Sequence, residues 1–171
     1  MKRILAIVFG VILGISCSSC TVICNEKRLV YDYAQFPLPH YITSPQTLKE
    51  WMHTNLRYIP DKNGEWKQPW ETIRDGGGDC EDYAILAALF LSKLGYRTNI
   101  VGLFYQENGK KAGHAICVFQ EKDGRWSFFS DELYVKSKAE LAGDIYTKYF
   151  PKWERITYFK PTGETITDIK R

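Results

Sequence analysis

The chain has 171 residues, 44% of them hydrophobic and 25% charged, with a formal net charge of +3. Its length suits one domain with a proper core, and so small a net charge offers no face for nucleic acid. No repeat or low-complexity segment divides it, and a monomer is expected.

The start of the chain reads as an export signal over residues 1–16: Lys2 and Arg3, an apolar run from Ile4 to Ile15 too short to span a bilayer as a helix, then small residues. Its removal would lower the formal charge from +3 to +1. Ser16-Cys17-Ser18 has the look of a lipoprotein junction, so Cys17 is the first choice for lipidation and Cys20 the second, with Cys24 close by. The expected location is the bacterial envelope, held to a membrane by the lipid and facing the periplasm. A soluble periplasmic protein cleaved elsewhere is the plainer alternative. Residues 17–43, with Pro37 and Pro39, read as an extended tether to a domain over 44–171.

Ser44-Pro45 opens a helix whose stripe of Leu48, Trp51, Met52 and Leu56 belongs to the core. The next helix is apolar on nearly every face from Ala84 to Leu91, must be packed centrally, and stops at Gly95. Before it, Gly76, Gly77 and Gly78 permit a tight turn and Asp79 suits the N-cap, which sets Cys80 in the first turn. Unpaired amides there favour an anion, and a thiolate is one, so a thiol pKa below the ordinary value near 8.5 is expected for Cys80. At about 100° per residue, Asp79, Glu81 and Asp82 are expected to lie off the face that Cys80 shares with Tyr83, Ala84 and Ala87. Taken alone, a buried cysteine is more often a small hydrophobe. Asp75, Asp79, Glu81 and Asp82 also offer hard oxygens of the kind calcium prefers, but without EF-hand spacing, and first-turn acids complementing the helix dipole are the simpler reading. No short Cys/His spacing outside the export segment supports zinc.

Asn99 to Tyr105 reads as a strand, with an Asn108-Gly109 turn leading to a second from Gly113 to Phe119 that His114 opens. Lys122, Asp123 and Gly124 turn the chain into a third, Arg125 to Ser130. A hairpin folded near 123 sets residue 114 opposite 131 within a residue or two, which brings Asp131 beside His114. Ile116 and Val118 share the face of His114, while Cys117 is a core or disulfide candidate on the other. Each of these has a bland reading, a satisfied histidine or a turn aspartate. Together they supply a nucleophile in Cys80, a base in His114 and an orienting carboxylate in Asp131. Further on, Ser137 with Glu140 predicts a capping box for a helix to about Tyr149, and Trp153 to Lys160 a last strand. Most of the aromatic residues are expected in the core.

Tyr58 and Asp61, Trp70 and Glu71, Gly78-Asp79-Cys80-Glu81-Asp82-Tyr83-Ala84, Leu94-Gly95-Tyr96, Gly113-His114-Ala115 and Asp131 resemble the transglutaminase-like superfamily, and within it the bacterial transglutaminase-like cysteine peptidases. The resemblance runs from about residue 45 to 135. It implies an α+β fold with a papain-like, transglutaminase-type core, a central helix carrying the cysteine against an antiparallel sheet. It also implies a triad of Cys80 as nucleophile, His114 as base and Asp131 as orienter, although Asp131-Glu132-Leu133 departs from the Asp-Asn or Asp-Pro of many relatives. The activity it implies is hydrolysis of a peptide or isopeptide bond through an acyl-enzyme, on a protein or peptide substrate and without a required cofactor. Calcium-dependent relatives keep Asp79 and Glu81 as calcium candidates. The superfamily also holds acyl-transferring and catalytically dead members, so transfer to an amine and a non-catalytic envelope module that binds a peptide or wall component are the alternatives. Cys80's own amide is one natural oxyanion donor, and spacing does not choose a second among Trp51, Asn55, Tyr58 and Trp70.

Overall fold

The computed structural model describes residues 37–61, 66–159 and 164–171. The expected export segment 1–16, Cys17, Cys20, Cys24 and most of the expected tether lie outside the described residues. At the end of that stretch, Ile42 donates its amide to the Pro39 carbonyl at 2.9 Å and is 1% exposed, so the chain is already on the core before the first helix.

Helix α1, Pro45–Asn55, starts where the Ser-Pro signal sets it: Ser44 Oγ accepts from the Thr47 amide, and Thr47 Oγ1 from the Ser44 amide. Its stripe of Leu48, Trp51 and Met52, with Leu56 just beyond, is buried. Strand β1, Arg57–Tyr58, follows, and then the short helix α2, Pro69–Arg74. The sequence reading had no helix there, although Gln68-Pro69-Trp70-Glu71 carries its start signal. Glu71 Oε2 accepts from the Gln68 amide at 2.9 Å, and proline stands at the first helical position.

Strand β2, Gly77–Gly78, pairs parallel with β1, Arg57 beside Gly77 and Tyr58 beside Gly78. Two of the three glycines are required here. Gly77 has φ +148, and a Cβ on it would sit 1.8 Å from the Arg57 carbonyl oxygen; one on Gly78 would sit 2.1 Å from Asp82 Oδ2. Helix α3, Cys80–Lys93, then runs through the core with every residue from Asp82 to Leu91 buried.

Six strands form one antiparallel sheet in the order β6-β5-β4-β3-β7-β8: β3 Arg97–Glu107, β4 Lys110–Gln120, β5 Trp126–Ser130, β6 Leu133–Ala139, β7 Arg155–Phe159 and β8 Thr165–Lys170. The β3–β4 hairpin closes on Asn108 at φ 52 and Gly109 at φ 73, the backbone that an Asn-Gly loop provides. One face of the sheet, with Ile100, Ala115, Cys117, Phe119 and Phe129, packs on α3 and α1. The other, with Val101, Leu103, Ile116, Val118, Phe128 and Ile156, is covered by Ile145 and Tyr146 of α4, Ala142–Tyr149. This is the expected α+β architecture, with the cysteine-bearing helix central against an antiparallel sheet.

Three expectations need correction. Ser137 and Glu140 do not cap a helix: residues 133–139 form β6, Ser137 Oγ donates to the Trp126 carbonyl, and α4 begins only at Ala142, where Asp144 accepts from the Leu141 amide. Pairing with the third strand's aromatic run overrode the local helix signal. The last strand is followed by another, β8, and His114 lies within β4 instead of opening it.

Candidate active site

Cys80 begins α3 directly after Asp79, so it occupies the expected first-turn position. The start of this helix is tied down by Asp82, which is 1% exposed. Its two carboxylate oxygens accept from the Lys67 amide at 2.7 Å and the Asp79 amide at 3.3 Å, which fastens the segment before α2 to the first turn of α3. Burial pushes the Asp82 carboxyl up to about 6 against those two donated hydrogen bonds.

The sulfur's surroundings differ from the sequence expectation. Glu81 is not turned away from it: Cys80 Sγ donates to Glu81 Oε2 at 3.1 Å. The 100° step places Cβ atoms, but a glutamate has length enough to fold back over its neighbour at an open helix end. Burial, helped by Glu81 and Asp79, holds the thiol up at about 12, while the Ala115 amide, directed at the sulfur, pulls the other way. The resting group is therefore a thiol, not the thiolate that the helix terminus alone predicted.

That Ala115 amide is available because β5 has stopped. The β4–β5 ladder ends at Ile116 beside Ser130, so the edge of β4 at residues 114 and 115 is open. Continuing the register would bring 114 to 132, one residue from the expected 131. Instead the chain turns at Asp131, whose φ of 51 is left-handed, into β6. His114 Nε2 lies 2.8 Å from Ser130 Oγ, and its ring lies 6.1 Å from that of Phe150. Burial lowers the His114 pKa, opposed by Asp131 and Glu81, so the imidazole is neutral at pH 7. Asp131 interacts with it electrostatically, but Asp131 Oδ1 is buried without a hydrogen-bond partner, and burial raises its pKa. Ser130 is thus the group that touches the ring, and sequence reasoning missed it. Its only signal was its place one residue before the carboxylate.

Cys80 and His114 line one cavity of about 260 Å³ together with Glu81, Gly102, Phe104, Gly113, Ala115, Trp66 and Phe159. The other histidines, His40 and His53, are exposed and do not line it. Of the four residues open as oxyanion donors, Tyr58 pairs with Gly78, two residues before Cys80, and burial followed by Cys80, Asp131, Asp79 and Glu81 raises its phenol pKa. Trp51 packs on Phe90 at 5.3 Å, the Asn55 amide donates to the Trp51 carbonyl at 2.8 Å, and Trp70 lies under the Arg74 guanidinium at 4.9 Å. Cys117 is fully buried and unbridged.

The acids divide. Asp75 pairs with Arg74 at 2.8 Å and Lys67 at 3.6 Å, and Asp82 is structural. Asp79 and Glu81 are joined by Asp61, with one oxygen of each within 4.8 Å of the others. Burial, then Glu81 and Asp82, pushes the Asp79 carboxyl up to about 7, and its Oδ1 is buried without a partner. Such a cluster of hard oxygens, crowded and incompletely satisfied, fits a divalent cation of the calcium type.

An α+β chain with a cysteine at the start of its central helix, beside a histidine at the open edge of a strand, has the arrangement of the papain-like and transglutaminase-like thiol proteins. The transglutaminase-like superfamily model matches residues 28–130, well over half of the chain, and the protein belongs to that superfamily. The match contains Cys80 and His114 and ends one residue before Asp131. No curated protein matches. Among solved structures, a candidate cysteine protease from Cytophaga hutchinsonii is 16% identical, with a TM-score of 0.42 over 89% of this chain and 51% of its own. A candidate protease from Parabacteroides distasonis is 10% identical, with a TM-score of 0.45 over 84% of this chain and 27% of its own. The chain thus spans about half or less of these structures.

Proposed function

We propose that this chain is a cysteine hydrolase that cleaves a peptide or isopeptide bond through a thioester, with Cys80 as nucleophile and His114 as base. The observation that carries the reading is the neutral His114 at the open edge of β4, in one cavity with Cys80. A buried thiol beside a neutral imidazole calls for general-base catalysis rather than a standing thiolate–imidazolium pair. With Nε2 engaged by Ser130, Nδ1 is the nitrogen left to take the Sγ proton as sulfur attacks the carbonyl carbon. The oxyanion would be held by the Cys80 amide and the Tyr58 hydroxyl. His114 then gives its proton to the leaving amine as the C–N bond breaks. Water, deprotonated by His114, releases the acid from the thioester. Asp131 favours the imidazolium that forms in each half-reaction, and Ser130 fixes the ring.

A calcium ion would be held by Asp61, Asp79 and Glu81, where it would supply positive charge to that cluster. No step of the chemistry needs it. The export segment and Cys17 support an envelope lipoprotein facing the periplasm, acting as a monomer on a protein or peptide. Mass spectrometry after iodoacetamide treatment tests the nucleophile. Cys80, half-buried, should label faster than Cys117, and His114→Ala should slow Cys80 labelling and abolish cleavage of a peptide pool. If both variant and wild type label and cleave alike, the pair is wrong and a binding module is the better reading.

A further inference from the structure

A second cavity, also of about 260 Å³, lies on the opposite face of the sheet from α3, lined by Leu103, Tyr105, Tyr149, Phe150, Trp153 and His114, with Pro151 and Lys152 completing it. His114 is the residue it shares with the Cys80 cavity. The two therefore flank the histidine from either face at the place where β4 has no neighbour, Ile116 beside Ser130 being the last pair. An extended chain crossing that open edge has one flank in each.

We propose that the Leu103–Trp153 cavity receives the side chain of the residue on the leaving-amine side of the scissile bond, and that this side chain is aromatic or large and aliphatic. The assignment rests on the reading of Cys80 and His114 as a hydrolytic pair. The leaving nitrogen must take its proton from the imidazole, and the imidazole faces this cavity, its ring 6.1 Å from that of Phe150. The acyl side stays with sulfur, over Gly102 and Gly113. The lining is mostly apolar, which favours an apolar side chain; Lys152 and the buried Trp153 Nε1 are donors at its wall, too few to make up the hydration that a carboxylate or an amide side chain would lose. In size, an apolar cavity of about 150 Å³ accommodates benzene. The space here takes one ring or a branched aliphatic chain.

The test uses phenylalanine amide, leucine amide and glycine amide, which carry the free amine that would leave. Each is titrated into the full chain, and into Cys80→Ala, by tryptophan fluorescence, Trp153 being in the wall. Phenylalanine amide should bind at least about tenfold more tightly than glycine amide in both proteins, since even one added methylene in an apolar pocket discriminates by that order. Tyr105→Ala, which removes a wall residue outside the reacting pair, should erase most of that difference while Cys80 still labels with iodoacetamide. Sequencing of cleaved peptides should show aromatic or large aliphatic residues at the new amino termini. Equal binding of the amides, or a preference that Tyr105→Ala leaves untouched, overturns the pocket. Selective binding by a chain whose Cys80 neither labels nor cleaves overturns the leaving-side assignment and the hydrolase reading together, and spares only the cavity.

Discussion

Replacing Glu81 by glutamine should make Cys80 reactive at lower pH. The Cys80 sulfur lies 3.1 Å from Glu81 Oε2, so ionising the thiol would place two negative charges at that separation. Their repulsion is about 5 kcal/mol at an effective dielectric near 20 and about 1.3 kcal/mol in water, which correspond to roughly four and roughly one pKa unit. Glu81 is only half-buried, so solvent screening favours the lower end. A downward shift of about one to two units is expected from the present value of about 12. Glutamine keeps the shape and still accepts from the thiol, so the change isolates charge from packing. The assay is the second-order rate of iodoacetamide labelling at Cys80 from pH 6 to 11, read by mass spectrometry with Cys117 as the internal reference. Below both midpoints the rate follows the thiolate fraction, so a Cys80 rate that Glu81→Gln leaves unchanged or lowers across this range would refute the view that Glu81 suppresses the thiolate.

Further outcomes are expected. Ser130→Ala should lower turnover by roughly tenfold, about the value of one neutral hydrogen bond, and disturb the His114 limb of the pH–rate profile. Asp131→Asn should lower turnover further if it orients the imidazolium, approaching about 10⁴ by analogy with triads that lose their carboxylate, so a near-wild-type rate would remove it from the machinery. Asp79 binds a proton up to about pH 7 in the folded chain but only to about 3.9 when unfolded, so its contribution to stability falls as pH rises between those values. Asp79→Asn, which still suits an N-cap, should raise the melting temperature at pH 8 and leave it unchanged at pH 4. His114, its pKa lowered, acts in the opposite sense below about pH 6.5, and the comparison with wild type cancels it. At pH 8 calcium should also raise the wild-type melting temperature, a chelator should reverse this, and Asp61→Asn should abolish the response. Leu86→Ala, at a position 0% exposed within α3, should cost about 2–5 kcal/mol by urea unfolding.

Much of the frame follows from local chemistry. The apolar run from Ala84 to Leu91 can only be a central helix. The Ser44-Pro45 start, the Asn108-Gly109 hairpin and the turn at Gly124 each rest on a few adjacent residues whose backbone preferences act wherever the chain lies. The same economy placed Cys80 at a helix start and brought 114 near 131, because a hairpin's register is set by its turn. β6 defeated the local reading: a sound capping pattern at Ser137 and Glu140 yielded to pairing with β5, a contact between segments that sequence spacing does not weigh.

At the site, sequence determined which residues lie on the helix and strand but not what surrounds them. That β5 ends at Ser130, freeing the Ala115 amide and putting a hydroxyl instead of a carboxylate on His114, depends on where a ladder stops. That Asp61 joins Asp79 and Glu81, and that Tyr58 lies beside Gly78, depends on β1 pairing with β2 across a chain separation of 20 residues. The ionisation of Cys80 shows the division most clearly. The helix terminus is a property of the local chain and favours the anion, whereas burial comes from packing and, with the adjacent Glu81 and Asp79 carboxylates, outweighs it. A pKa is set by all the charge and solvent around a group, and only the folded chain decides what those are.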